Sequence, residues 1–95
     1  MDSENGWVLT LFAESGRCSV GLIDGNTVWF ALNPEVPLES AGAEESVAFS
    51  WTEGPKVEII NQVELIKSAL VKFYDSGSPS KSVRWRDRLN HKNII

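Results

Sequence analysis

The segment Asp24-Gly25-Asn26 separates two apolar, β-forming runs, Cys18-Ser19-Val20-Gly21-Leu22-Ile23 and Thr27-Val28-Trp29-Phe30-Ala31-Leu32. Asp, Gly and Asn tolerate the positive φ angles that tight hairpin turns demand, so this stretch is committed to an antiparallel pair. A similar run, Gly6 to Ala13, comes before it and ends at the turn-like cluster Glu14-Ser15-Gly16-Arg17. The chain therefore opens as a β-meander. Its 95 residues suffice for one domain over 1–95, with a core of one sheet face closed by one helix and no deep buried pocket.

Asn33 to Glu45 carries two prolines, one glycine, four glutamates and no basic residue, which makes it a loop. Ser46 to Thr52 then alternates, with Val47, Phe49 and Trp51 on one face, as a half-buried strand does. Glu53-Gly54-Pro55 ends that strand, and Lys56 to Ile60 reads as a short further one. Helical spacing follows in Val63, Ile66, Leu70 and Phe73, with Ala69 beside them. Asn61 and Glu64 are spaced for a capping box, and Gly77 supplies a stop before Pro79. Ser82 to Arg86 alternates again, directing Val83 and Trp85 inward and Arg84, Arg86 and Arg88 toward solvent. Asn90 to Ile95 has no such pattern, which is compatible with a disordered tail. The expected fold is α+β: an antiparallel meander of about five to six short strands packed against one main C-terminal helix.

Charge is divided unevenly. Residues 1–64 hold eleven acids against Arg17 and Lys56, a net of −9, whereas residues 65–95 hold seven bases against Asp75 and Asp87, a net of +5. The acidic balance argues against a general nucleic-acid binder, because phosphate contacts need a cationic face. Two uses of the asymmetry stand side by side: the basic C-terminal segment complements the acidic sheet, or the acidic half faces a cationic partner. The single Cys18 allows no internal disulfide, Met1 to Gly6 lacks the features of an export signal, and no apolar run approaches the length of a membrane span. A cytoplasmic protein that contacts no membrane is expected.

Reactive groups are few. Cys18 lies in a predicted strand and the lone His91 in the tail, so a cysteine–histidine pair is disfavoured. Metal-ligand spacings and phosphate-cradling loops are lacking, Asp24-Gly25-Asn26 reads as a turn rather than a calcium loop, and Glu44-Glu45 reads as surface. No catalytic residue, cofactor, metal or small-molecule substrate is expected. Trp7, Trp29, Trp51 and Trp85 are many for this length, and a one-helix core can hardly bury all four.

Leu65 to Tyr74, then Ser76-Gly77-Ser78-Pro79, then Val83-Arg84-Trp85 resembles the C-terminal signature of the immunity protein 1 family of bacterial polymorphic toxin systems. The resemblance covers about residues 59 to 88. It implies a cytoplasmic protein that binds a cognate toxin domain, often a nucleic-acid deaminase or nuclease, and blocks it. It also implies structural roles for Phe73, Gly77, Pro79 and Trp85. Glu35, Glu39, Glu44, Glu45 and Glu53 are the expected partner-binding carboxylates, with Trp29 or Trp51 as an exposed anchor. The alternatives are a small adaptor domain unrelated to toxins and, third, an RNA-contacting domain using Arg84, Arg86 and Arg88 with Trp85.

Overall fold

The computed structural model describes residues 6–49 and 52–95. Strands β1 (Trp7–Glu14), β2 (Arg17–Asp24) and β3 (Thr27–Ala31) form the meander, and β6 (Trp85–Asp87) joins it, giving an all-antiparallel sheet of order β1-β2-β3-β6. Ser15 and Gly16 both take positive φ in the first turn, 38° and 79°, the backbone that matches the twist of the flanking strands. At the second turn Gly25 alone does so, at 58°. The fold is the expected mixture of an antiparallel sheet and one helix, α1 (Val63–Ser76).

Helix α1 covers one sheet face. Ile66, Ala69 and Phe73 are buried against Leu9, Val20, Leu22 and Trp85, while Lys67 and Lys72 are exposed as their spacing requires. Gly77 ends the helix in the left-handed region at φ 69°, its N–H donating to the Phe73 carbonyl at 2.7 Å. The start of α1 differs from expectation. Cys18 and Ile60 exchange two backbone hydrogen bonds, 2.9 and 2.8 Å, so Asn61 is spent crossing from sheet to helix and Gln62 becomes the N-cap, with no side-chain cap. Glu64 pairs with Lys67 instead of closing a capping box, and Val63, at the helix mouth, is exposed.

Further corrections concern the other sheet face. Ser46 to Thr52 is not one strand, because β4 (Ser46–Phe49) pairs antiparallel with β5 (Thr52–Pro55), so Glu53-Gly54-Pro55 continues a hairpin rather than breaking it. Trp51 lies outside the described residues. Lys56–Glu58 is a 3₁₀ turn, since its backbone bonds the preceding loop: the Val57 N–H donates to Ala43 and its carbonyl accepts from Asn33. Leu32, Ala43 and Val57 form a second, smaller core with Val36 and Leu38. Asn33 pins it, donating from Nδ2 to the Ile59 carbonyl at 2.9 Å and accepting the Glu35 N–H at 2.9 Å.

The C-terminal residues are ordered by pairing. Trp85 and Ile95 exchange backbone hydrogen bonds at 3.0 and 2.9 Å, and the Asp87 N–H donates to Asn93, so the tail adds an extra rung to the outer edge of β6. Among the described residues no helix is long and apolar enough to cross a membrane.

Candidate functional site

Side chains alternate across a strand, so the register of the sheet assigns its two faces. Leu9, Leu22, Trp29 and Trp85 face α1, whereas Thr10, Phe12, Gly21, Phe30 and Arg86 point to the side carrying the acidic loop and the β4–β5 hairpin. Between that side and the hairpin lies an open groove of about 460 Å³. Phe12, Ser19 and Phe30 line it from the sheet, and Phe49, Pro55 and Ile59 line it from the second layer. Glu53, Glu58 and Arg88 contribute its charge, and the His91 ring lies beside them. Gly21 makes room beneath Phe30: a Cβ there would meet Thr10 Oγ1 at 2.8 Å and the Phe30 ring at 3.6 Å.

Arg86 is the hinge of the electrostatics. It was expected on a solvated edge, yet it is only 2% exposed, because the acidic layer covers the face toward which it points. Its Nη2 donates to Glu58 Oε2 at 2.6 Å and its Nε to the same oxygen at 3.2 Å. Its Nη1 donates to Glu44 Oε1, and Nη2 reaches Glu44 Oε2 at 3.3 Å. Burial pulls the guanidinium pKa down, but the hydrogen bonds and charges of Glu44 and Glu58 outweigh it and leave the group above its ordinary value. The charge asymmetry of the chain is thus partly consumed inside it, and the row of alternating arginines is interrupted.

This geometry sorts the expected partner-binding residues. Glu35, Glu39, Glu45 and Glu53 are exposed and, among the described residues, pair with no cation, although Glu53 accepts a hydrogen bond from Ser46 Oγ at 2.9 Å. Glu44 is half-exposed and bound to Arg86. Trp29 does not adjoin the acidic loop: it packs half-buried on the α1 side, and its Nε1 is buried with no partner among the described residues. Trp85 is buried, donating from Nε1 to the Ser80 carbonyl at 3.3 Å. Cys18 lies in the core beneath α1 and His91 beside the groove, on opposite faces of the sheet. Burial raises the Cys18 pKa. Among the described residues no group of three metal-ligating side chains forms.

The sequence reading missed the groove and the role of Arg86. Its signal was present: Gly6–Ala13 and Thr27–Leu32 are apolar on both alternating sets, which marks a sheet covered on two sides. Compared with known proteins, the chain matches no family model, no curated protein and no solved structure.

Proposed function

We propose that this chain is a non-catalytic, cytoplasmic protein-binding domain of the immunity type, which neutralises a cognate bacterial toxin domain by seating its acidic face on a cationic substrate cleft. The observation that carries the reading is the state of the carboxylates. Arg86 is already held by Glu44 and Glu58, so Glu35, Glu39, Glu45 and Glu53 remain exposed with no cation among the described residues to satisfy them. A toxin that acts on nucleic acid needs a positively charged cleft, and carboxylates on a fixed scaffold complement it in charge and register. The second core and the Asn33 hydrogen bonds supply that scaffold, limiting the ordering cost of binding.

The test is co-expression with the toxin domain encoded immediately upstream. Restored growth, together with a complex that co-elutes from purified components, is the expected result. Continued killing with no complex, while the chain is folded and abundant, would reject the reading.

A further inference from the structure

Resting on that reading, we infer that the groove is the socket for an arginine side chain of the partner. Phe12 and Phe30 form part of its floor, Phe49 stands in its wall, and the exposed carboxylate of Glu53 lies in the same lining. Aromatic faces attract a flat guanidinium, and a carboxylate in reach accepts its N–H donors in pairs.

The chain contains its own example of this chemistry. Arg17 lies over the Phe49 ring, 5.7 Å from its centroid, while its Nη2 is bound to Glu14 at 2.9 Å. An incoming arginine would repeat that combination on Phe30 with Glu53. Of the groove's other polar groups, Glu58 is neutralised by Arg86, and the His91 ring stands 4.0 Å from Glu44. Arg88 is the groove's cation without an ion pair among the described residues, and it defines the competing occupant, an anion.

The experiment titrates the full chain with N-acetyl-arginine amide, N-acetyl-lysine amide and inorganic phosphate, followed by the amide resonances of Ser19, Gly54 and Ile59. Saturable shifts with the arginine probe, about fivefold weaker with the lysine probe, are expected from the loss of stacking and paired donors. Glu53→Gln, at an exposed position, should weaken arginine binding about tenfold with no change in melting temperature. Shifts driven by phosphate alone, equal response to lysine, silence toward all three probes, or an unaffected Glu53→Gln variant each overturn the inference. Measuring the toxin complex alongside separates the two claims. Toxin binding without arginine binding removes the socket and leaves the immunity reading, whereas arginine binding without toxin binding does the reverse.

Discussion

Arg86 Nη2 and Glu58 Oε2 lie 2.6 Å apart with both residues buried, joining the last strand of the sheet to the turn that closes the acidic layer. Cutting a buried ion pair on one side leaves an uncompensated charge in a low-dielectric interior, so Glu58→Gln should cost about 3–5 kcal/mol. Glu44 is half-exposed, water replaces its contribution in part, and Glu44→Gln should cost about 1 kcal/mol or less. Urea unfolding of both variants checks the ranking. Equal losses would mean that Arg86 is not anchored through Glu58.

Two tryptophans on the same sheet face should respond differently to loss of the indole N–H. Trp85 Nε1 has the Ser80 carbonyl as its acceptor, and Trp85→Phe strands that carbonyl beside a cavity, costing about 2 kcal/mol or more. Trp29 Nε1 has no acceptor among the described residues, so Trp29→Phe removes a buried orphan donor that offsets the lost volume. Thermal melts should place Trp29→Phe within about 1 kcal/mol of the parent. A larger loss for Trp29 than for Trp85 would contradict this.

How far the sequence carried depended on whether local chemistry or distant contacts decided each element. The hairpin at Gly25, the C-cap at Gly77 and the buried faces of Phe73 and Trp85 follow from backbone preference and period, and each sits where it was expected. The misplaced elements were decided by partners far along the chain. Ile60 is held by Cys18, Val57 by Ala43 and Asn33, and Ile95 by Trp85, so a strand became a turn, a cap moved by one residue and a tail became a sheet edge. Arg86 fails for the same reason, since alternation assigns it a face but cannot say that Glu44, 42 positions away, covers that face. The two-sided apolar pattern of Gly6–Ala13 and Thr27–Leu32 signals that the second sheet face is covered, but the shape of the groove was illegible because its far wall comes from segments whose placement over the sheet no local pattern encodes.

Asp87 ties the turn that returns the tail to β6. Its Oδ1 accepts the N–H groups of Leu89 and Asn90 at 2.9 and 3.2 Å, and these bonds hold its pKa below the ordinary aspartate value. A carboxylate depressed in the folded state contributes stability that is fully present above its unfolded pKa, about 3.9, and is lost as pH falls through the lower folded value. The Ile95 and Asp87 amides, which donate to Trp85 and Asn93, should therefore exchange faster in acid below about pH 4, and Asp87→Asn should flatten that dependence. Exchange that is independent of pH across this window, after correction for intrinsic rates, would refute the coupling.

Cys18 reports on opening of the core. The residue is 6% exposed beneath α1 and burial raises the pKa of its thiol, so both access and thiolate fraction are low. Modification by a thiol reagent should be slow in the native protein and should accelerate with denaturant in step with global unfolding. Rapid labelling under native conditions would show that β2 separates from α1 without global unfolding.

If exposed carboxylates steer the complex, the association rate should carry most of their effect. Charges at the rim of an interface accelerate encounter and are screened by salt, whereas buried contacts govern dissociation. Replacing Glu39, Glu45 and Glu53 by lysine leaves the Arg86 network intact, since that network uses Glu44 and Glu58. The triple variant should associate with the toxin domain at least tenfold more slowly at low ionic strength, and the gap from the parent should narrow as salt rises. Stopped-flow mixing across a salt series separates this from a general loss of fold, which would change the dissociation rate and the melting temperature as well. An unchanged association rate would move the interface off the acidic loop, and α1, with Tyr74 and Val71 exposed on its outer surface, would become the face to mutate next.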